Sequence, residues 1–577
     1  MAETLISPGV LALENDQSFI TQQPVTVGAA IIGPTVKGPV EVPTIVTSYS
    51  DYQNKFGTTF LSASQVYTYF TSIAAYNYFA NGGETLLVAR VVSGSFTGAT
   101  TATGSGTPIL CASASAQSFV LTTLSQGALM NSTGSQDISG SLASGSADNI
   151  RWQIQNADTA SGTFSLLIRQ GNDTTNNKTV LETWTNLSMD PTAPNYVARV
   201  IGNQTKTYNS VDNQVEIGGD YPNNSRYVYV SSVTTPTPFY FDNNGNAKAQ
   251  FTSSIPLNAS GSFGGATGQL FGANAKYYNN ISSSVTNIQG LVTASYTNMI
   301  ALLANQDDYR YNVLITPGLF ASEGPLGASA VTSIISNTQN RGDAIYVADL
   351  VPFSSSISEV TTQANAKNTS YAASYWPWVQ TIDPDSAQLV WVPASTMIGG
   401  VYAYNDSVSE PWFAPAGINR GGLGSVVRAE KKLSQANRDT LYSNKVNPIA
   451  TFPGTGTVVY GQKTLQTQAS ALDRVNVRRL LIALKGYISQ VAQNLVFEQN
   501  TIATRNSFLS QVNPYLETVQ QRQGLYAFKV IMDDSNNTPD VIDRNQLVGQ
   551  IYLQPTRTAE FIYLDFNVLP TGVTFPA

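Results

Sequence analysis

Two pairs of aspartates are the residues of this 577-residue chain whose type and spacing best fit catalysis. Asp383 and Asp385 are separated by one residue, and Asp533 and Asp534 are adjacent. A glycoside hydrolase needs two carboxylates at a fixed separation, one of which protonates the leaving oxygen. Both pairs lie in turn sequences, where aspartate is favoured because its side chain hydrogen-bonds to the local backbone. The sequence therefore favours two turns over a hydrolytic site.

Other residue types exclude most remaining enzyme classes. The chain has no histidine, which removes the commonest general base and metal ligand and excludes serine–histidine and cysteine–histidine nucleophiles. Its single cysteine, Cys111, is interpreted as a buried structural thiol in a chain that folds in a reducing cytosol. The stretch 533–537 lacks the glycine and glutamate of a calcium loop, and the glycine-rich stretch 419–424 lacks the lysine of a phosphate loop. We expect no cofactor and no enzymatic activity.

The chain is unusually poor in charge. Only 12% of its residues are charged, well below the roughly one quarter typical of soluble domains. Such a polar but weakly self-repelling surface suits a protein that is largely covered by copies of itself. The net charge of -7 argues against direct binding of nucleic acid. Since no run of about 18 apolar residues and no basic N-terminal region occur, we also expect neither membrane insertion nor a secretory signal.

The distribution of turns and apolar runs predicts an α+β multidomain fold. A mixed α/β core is formed by an N-terminal segment and the C-terminal half, and a β-rich region is inserted between them because many short alternating runs lie there. The predicted parts are an extended N-terminal arm (1–22), the N-terminal part of the core (23–92), the insertion (93–272), a central α/β core (273–465), a C-terminal core domain (466–556) and a C-terminal strand arm (557–577).

Several elements of the core can be placed from periodicity. Helical spacing predicts a helix over 64–80, capped by Ser64, and a buried strand follows at 85–92. Apolar strands at 311–315 and 344–350 flank a helix at 326–340, which predicts a parallel βαβ unit.

The C-terminal part begins with a long predicted helix at 470–497. Its apolar seam alternates steps of three and four residues: Leu481, Leu484, Ile488, Val491 and Leu495. A second helix is expected near Thr501, and Asn513-Pro514 is expected to start a third. Strands are predicted at 527–532, 547–553 and 559–568.

A group of aromatic residues lies in the centre of the chain: Tyr371, Tyr375, Trp376, Trp378 and Trp391. These side chains could form a platform that stacks on sugars, or a packed corner of the core. The strand-like context and Pro377 favour the packed corner.

Positive charge is concentrated between Arg420 and Lys485. This stretch carries eleven basic residues against three acidic ones. Arg474, Arg478 and Lys485 lie on one side of the long helix, beside its apolar seam. The side is either a solvated face or a surface for an acidic partner.

Four short motifs follow one another near the C-terminus. They are Leu472-Asp473-Arg474-Val475-Asn476-Val477-Arg478-Arg479-Leu480, then Phe497-Glu498-Gln499-Asn500, then Asn537-Thr538-Pro539 with Asp543, and finally Ala559-Glu560-Phe561-Ile562. In order and separation they resemble the C-terminal signature of contractile phage tail sheath proteins. Ser7-Pro8-Gly9-Val10, Lys37-Gly38-Pro39, Gly399-Gly400-Val401-Tyr402-Ala403 and Pro411-Trp412-Phe413-Ala414-Pro415 resemble earlier parts of that family.

The resemblance implies a structural subunit of the virion. Such subunits form a helical homo-oligomer of stacked hexameric rings around a tail tube protein, with baseplate and tail terminator proteins at its ends, and are assembled in the cytoplasm of the host bacterium. Contraction drives the tube through the host envelope. A sheath of a phage-derived injection particle is an alternative that the motifs do not separate, and a β-rich glycan-binding surface protein is a more distant one.

The resemblance also suggests which residues make contacts. Arg474, Arg478 and Lys485 are the candidates to face the tube. The terminal arms are expected to pair with the sheet edges of neighbouring subunits. The candidate intersubunit residues of these arms are Val10, Leu11, Phe561, Ile562, Tyr563 and Leu564. The insertion, which lacks the family's motifs, is expected on the outer surface.

Overall fold

The computed structural model describes residues 27–62, 65–111, 116–270, 291, 294–322 and 324–562. Over these residues the chain has the predicted α+β fold. One mixed sheet joins strands from the N-terminal segment to strands from the C-terminal half, and a β-rich region lies between these two parts of the sequence.

The N-terminal segment supplies three strands to this mixed sheet. Its elements are β1 (Val27–Gly33), β2 (Thr44–Val46), α1 (Tyr49–Phe56), β3 (Thr59–Ser62), β4 (Gln65–Thr68), α2 (Phe70–Ala80) and β5 (Leu86–Arg90). The prediction of a buried strand at 85–92 is confirmed by β5, all five residues of which are buried.

The predicted helix over 64–80 is wrong in its first part. The helix begins at Phe70, whereas residues Gln65–Thr68 form β4 and pair with β3. Cross-strand packing outweighs the helical spacing here, because Phe60 lies opposite Tyr67 with their ring centroids 5.8 Å apart. Ser64, the predicted cap, lies outside the described residues.

The central part of the chain completes the mixed sheet. Its elements are α5 (Ala294–Leu302), β16 (Tyr311–Phe320), α6 (Gly324–Arg341), β17 (Ile345–Asp349), α7 (Ile357–Asn365), β18 (Ala372–Trp376), β19 (Val379–Ile382), β20 (Leu389–Val392), α8 (Ser395–Val408), α9 (Gly417–Arg420), β21 (Val426–Ala429), α10 (Gln435–Ser443), β22 (Val446–Phe452) and β23 (Gly456–Val459). The parallel pairing of β16 and β17 around α6 confirms the predicted βαβ unit.

The mixed sheet has the strand order β2-β5-β1-β16-β17-β18-β22-β23. The six inner strands are parallel, and the two outer strands, β2 and β23, are antiparallel to their neighbours. Parallel strands that are covered on both faces are apolar at successive positions. Ile31 and Ile32 of β1 follow this rule, since both are fully buried and belong to two different hydrophobic clusters. The core therefore lies in two layers, one on each face of the sheet.

Three members of the aromatic group predicted as a packed corner are buried, and the other two, Tyr371 and Trp391, are half-buried. Trp376 and Trp378 are each 2% exposed. The Trp378 ring stacks on Phe320 at 5.5 Å and meets Phe353 edge-on at 5.6 Å. The packed-corner interpretation is confirmed, and these two indoles are not available to stack on a sugar.

The insertion has a hydrophobic core of its own. Its elements are β6 (Gly98–Thr100), β7 (Ile109–Leu110), β8 (Gln117–Gln126), β9 (Ile150–Asp158), β10 (Thr163–Gln170), β11 (Val180–Ser188), α3 (Val197–Ile201), β12 (Thr205–Asn209), β13 (Gln214–Gly218), β14 (Val228–Val233), α4 (Ala249–Thr252) and β15 (Ala259–Ser262). Its core is built around Trp152, Phe164 and Leu187, which are almost completely buried.

A buried arginine ties the insertion to the core. Arg90, at the end of β5, is fully buried, and its Nη1 donates to the carbonyl of Gly38 in the core at 2.6 Å and to that of Gln126 in the insertion at 2.8 Å. Its guanidinium also lies 5.2 Å from the ring centre of Phe96. Burial lowers the pKa of Arg90 to about 10. The insertion is thus held by a specific polar contact as well as by its two chain connections.

The C-terminal part contains α11 (Val475–Gln493), α12 (Ile502–Gln521), β24 (Leu525–Ile531), α13 (Pro539–Asp543) and β25 (Gln550–Pro555). The predicted helix over 470–497 is shorter than expected, because Ala471–Asp473 forms a separate 3-10 turn. Strands β24 and β25 confirm two of the three strands predicted here, and pair with each other as a two-stranded sheet. For the third, at 559–568, the described residues 559–562 form no strand and the others lie outside the described part.

The predicted start of a third helix at Asn513-Pro514 is wrong, since Pro514 lies inside α12. A proline inside a helix removes one hydrogen bond and costs about 3 kcal/mol. Phe508 and Val512 before it, and Leu516 and Val519 after it, all reach the same hydrophobic cluster. Burial of each such side chain contributes about 1.5–3 kcal/mol, so packing outweighs the proline.

A buried carboxyl connects the mixed sheet to α8. Asp349, the last residue of β17, accepts hydrogen bonds from the Ser395 hydroxyl at 2.6 Å and the Ser395 amide at 3.2 Å. Burial raises the pKa of Asp349 from its usual value of 3.8 to about 7, although these hydrogen bonds act in the opposite direction. The folded protein therefore holds this proton more tightly than the unfolded chain does.

The raised pKa of Asp349 predicts a pH-dependent stability. The contribution of this group is fully present below about pH 4 and is lost as the pH rises through about 7, a change on the order of 4 kcal/mol. We expect Asp349→Asn to reduce the loss of stability between pH 4.5 and pH 7.5. The check is the urea midpoint of both proteins at both pH values. If the urea midpoints of the two proteins change by the same amount between these pH values, Asp349 is not the source of the pH dependence.

Candidate functional site

The candidate residues Arg474, Arg478 and Lys485 do not form one exposed surface. Arg474 precedes α11 and has a half-buried side chain, Arg478 is 4% exposed, and Lys485 lies on the exposed side of the same helix. The first turns of α11 are buried nearly all round, from Val475 to Leu480, because this end of the helix inserts between the central and C-terminal parts. A continuous basic face is therefore interrupted at Arg478.

Arg478 is packed as a core residue. Its guanidinium carbon lies 3.9 Å from the ring centre of Tyr371, and its Nη2 donates to the Ser370 hydroxyl. Within the described residues no carboxylate lies within ion-pair distance of it. Burial lowers the pKa of Arg478. The cation is held by the electron-rich face of the aromatic ring, an interaction that gains strength when it is desolvated.

This packing predicts that two charge reversals on α11 differ in their effect on the stability of the subunit. Arg478→Glu would place a carboxylate against the face of Tyr371, and we expect it to destabilise the subunit by about 3 kcal/mol or more. Lys485→Glu, on the exposed side of the helix, should leave the fold intact. Thermal unfolding of the two variants gives the comparison. An Arg478→Glu protein as stable as Lys485→Glu is the outcome that would disprove the packing.

Lys485 borders a groove between α11 and the central part of the chain. The Lys485 ammonium lies 3.4 Å from the Tyr371 hydroxyl. The groove has a volume of about 460 Å³, and charged residues line it: Asp307, Arg310, Arg341, Asp343, Arg479 and Lys485. Arg341 is paired with Asp343 at 2.8 Å, and Arg479 with Asp406 at 2.5 Å. Of the three tube-facing candidates, Lys485 is the one whose side chain is exposed in the folded subunit. Its contact with a tube stays a prediction.

Arg474 is engaged by acidic groups of its own chain. Its Nη1 lies 2.9 Å from a carboxylate oxygen of Asp473, and its Nε lies 2.7 Å from one of Glu560. Glu560 belongs to the last of the four C-terminal motifs, and sequence analysis did not connect the two residues. Arg474 belongs to the first of these motifs, and this shared signature is the sequence signal that could have linked the two residues.

The candidate arm residues are only partly described. Phe561 and Ile562 are 68% and 76% exposed. Val10, Leu11, Tyr563 and Leu564 lie outside the described residues. The two-stranded sheet of β24 and β25 lies close by in the sequence, and among the described residues no third strand pairs with either of its edges.

The two aspartate pairs are turn residues, as predicted. The Asp383 carboxylate accepts the backbone amide of Asp385 at 3.2 Å, and the Asp533 carboxylate accepts that of Ser535 at 2.8 Å. Asp383 also accepts the buried hydroxyl of Thr68 at 2.5 Å, so this turn holds the β3–β4 hairpin as well. Asp534 is paired with Arg505 at 2.6 Å. Each pair is used in structural contacts.

The described ranges hold neither a metal-binding cluster nor a membrane-spanning helix. No group of three or more cysteine, aspartate or glutamate side chains is arranged to hold a metal ion there. Among the helices of the described part, none is long and apolar enough to cross a membrane.

Comparison with known families gives two adjoining matches. Residues 293–465 match the phage tail sheath protein central domain, and residues 467–569 match the phage tail sheath C-terminal domain. The first match covers β16 to β23 of the mixed sheet, and the second covers α11 and the residues that follow it. The matched regions contain all three basic candidates and Glu560.

Individual relatives agree with these matches. The tail sheath protein of Vibrio phage KVP40 is 46% identical over 185 residues, and that of Enterobacteria phage T4 is 41% identical over 185 residues. Each alignment covers 32% of this chain and 28% of the relative, so it spans less than a third of those proteins. The crystal structure of a sheath tail protein from Listeria innocua has the same fold, with a TM-score of 0.50, 10% identity, and coverage of 92% of this chain and 95% of that one. Residues 293–569 of this chain, just under half of its length, are therefore similar to the central and C-terminal domains of phage tail sheath proteins.

Proposed function

We propose that this protein is the structural subunit of a contractile phage tail sheath. It polymerises as stacked hexameric rings around the tail tube, and its contraction drives the tube through the host envelope. The observation that carries the proposal is the unbroken succession of the two sheath domains over residues 293–569. The curated relatives described above are phage proteins, which favours a phage tail over an injection particle.

The proposed mechanism uses no catalysis. The work of contraction is stored in a metastable extended polymer and released when subunit contacts rearrange. A head-to-tail interface that does not close on itself produces such a filament. Within the described residues both edges of the β24–β25 sheet are unpaired, and such an edge is suited to accept a strand from a neighbouring subunit because it offers a row of free backbone groups. The terminal segments 1–22 and 557–577 are our candidates for these strands.

The proposal extends to partners and organisation. The subunit contacts itself, the tail tube protein, and the baseplate and terminator proteins, and it belongs to the virion after assembly in the host cytoplasm. We retain the division into arms, core parts and insertion at residues 22, 92, 272, 465 and 556. The insertion is assigned to the outer surface of the polymer because both sheath domain matches lie outside it.

Electron microscopy of the purified full-length protein tests the proposal. We expect tubes with regular cross-striations, either on coexpressed tail tubes or as empty contracted polymers. The low charge of the surface favours such self-association. A protein that remains monomeric at high concentration, both with and without tail tubes, would rule out the sheath function.

A further inference from the structure

The chain that leaves the C-terminal domain returns to the central part of the molecule. After β25 ends at Pro555, the Thr556 hydroxyl donates to the carbonyl of Gln523 at 2.6 Å. Two residues later, the side-chain amide of Gln462 donates to the Thr558 hydroxyl at 2.6 Å. Gln462 follows β23, so the returning segment is bound to the end of the mixed sheet.

Glu560 is the principal anchor of this returning segment. Its carboxylate accepts hydrogen bonds from three side chains: Arg474 Nε at 2.7 Å, the Tyr442 hydroxyl at 2.6 Å and the Gln462 amide at 3.0 Å. Tyr442 lies on α10, and Arg474 immediately precedes α11. Burial acts to raise the pKa of Glu560, but the hydrogen bonds from its three partners outweigh it and lower that pKa. The three hydrogen-bond donors around Glu560 therefore favour its charged carboxylate.

The chain that enters the C-terminal domain is tied at the same place. The Val475 amide, at the start of α11, donates to the carbonyl of Gln462 at 2.8 Å, and the Thr464 amide donates to the carbonyl of Asp473 at 3.0 Å. Gln462 thus contacts the entering chain through its backbone and the leaving chain through its side chain. Both connections between the central part and the C-terminal domain are fixed at one point.

We propose that Tyr442, Gln462, Arg474 and Glu560, here called the Glu560 seat, fix the position from which the C-terminal arm leaves the subunit. This inference rests on the proposed sheath function. Without the seat, the seven residues from 556 to 562 could reach roughly 25 Å in any direction from the end of β25. With it, a strand donated to a neighbour is anchored to the mixed sheet. A displacement of the central core is then transmitted to the next subunit, as a contracting polymer requires.

The proposal assigns Arg474 and Glu560 as positioning residues, and Glu560→Gln tests it. Arg557, three residues before Glu560, is exposed and offers trypsin a cleavage site within the returning segment. Loss of a charge-assisted hydrogen-bond acceptor at Glu560 should release this segment more often. We expect trypsin to cut the soluble full-length subunit after Arg557 about tenfold faster in the variant, as followed by mass spectrometry of the released peptide.

Asp473→Asn is the matched control. Asp473 also pairs with Arg474, at 2.9 Å, but its carboxylate has no hydrogen bond to residues 556–562. The control removes the same charge from the same arginine, so its cleavage rate at Arg557 should stay close to that of the wild type. Equal cleavage rates in Glu560→Gln and the wild type, or an equal increase in the cleavage rates of both variants, would disprove that the Glu560 seat holds the returning segment.

Polymerisation provides the second measurement. We expect Glu560→Gln to form tubes that are fewer and shorter than those of the wild type, while the subunit keeps its fold by circular dichroism. Faster cleavage together with tubes of normal length would overturn the positioning role. If the wild-type protein forms no tubes at all, the sheath function fails, whereas the cleavage rates still decide whether the seat holds the segment.

Discussion

Deletion of residues 563–577, or of residues 1–22, is expected to leave a folded subunit that no longer polymerises. The described residues between 27 and 562 already contain both layers of the mixed sheet and the separate clusters of the insertion and C-terminal domain. The truncated chains should therefore melt close to the wild-type temperature. Each deletion removes one of the two candidate strands for the edges of the β24–β25 sheet, so we expect complete loss of tubes in electron micrographs.

A variant of the same length tests whether assembly needs strand pairing by residues 563–577 or only a chain that is long enough to reach the neighbour. Replacing residues 563–577 with a glycine-serine sequence of the same length keeps the chain and the Glu560 seat but removes the apolar side chains. We expect this variant to fail in assembly like the deletion. Tubes of normal length from either truncated chain would show that the ends are not intersubunit strands.

Arg90→Ala is expected to have the second large effect, and only while the insertion is present. In the full chain the change removes the Arg90 hydrogen bonds to the carbonyls of Gly38 and Gln126 and opens a cavity beneath Phe96, although the Gly38 carbonyl still accepts from the Gln126 amide at 3.1 Å. We expect a loss of about 3 kcal/mol or more, from the lost hydrogen bonds together with the cavity left by the side chain. The measurement is the shift of the urea midpoint relative to the wild type.

A chain without residues 93–272 shows how much of the destabilisation by Arg90→Ala depends on the insertion. Thr97 and Thr267, which lie near the two ends of the insertion, are hydrogen-bonded, the Thr97 amide donating to the carbonyl of Thr267 at 3.2 Å, and in the excised chain a glycine-serine linker joins residues 92 and 273. We expect the excised core to fold, although the loss of Leu129 and Leu270 uncovers the small cluster around Phe60 and Tyr67. In this chain water can reach Arg90, and Arg90→Ala should cost much less. The same cost in both chains would show that Arg90 does not join the two parts.

Local patterns were sufficient to predict much of the fold. The βαβ unit could be predicted because its strands are short apolar runs and its helix is amphipathic, and these signals do not depend on distant residues. Residues Gln65–Thr68 could not be assigned this way. Their strand depends on pairing with β3 and on the hydrogen bond between Thr68 and Asp383, which lies 315 residues away. Pro514 was misassigned for a related reason, because tertiary packing outweighs a local helix breaker.

The candidate site was less predictable than the fold. Helical spacing correctly placed Arg478 and Lys485 on one helix, but spacing does not reveal burial. Arg478 is buried because Ser370 and Tyr371, more than a hundred residues earlier, cover it. The partners of Glu560 likewise come from three separate segments, so their convergence is a property of the folded chain.

The strand order of the mixed sheet also leaves one edge of β1 unpaired during much of the synthesis of the chain. Strand β1 can pair with β5 soon after both have been synthesised, but its other edge pairs with β16, which begins at Tyr311. Ribosomes add about 5–20 residues per second, so roughly 230 residues of further synthesis, mostly of the insertion, take about 12–46 seconds. Throughout that interval the apolar edge of β1 is a template for mispairing with other nascent chains. A cell that makes many copies of this chain at once must keep those unfinished sheets apart until residue 320 has emerged.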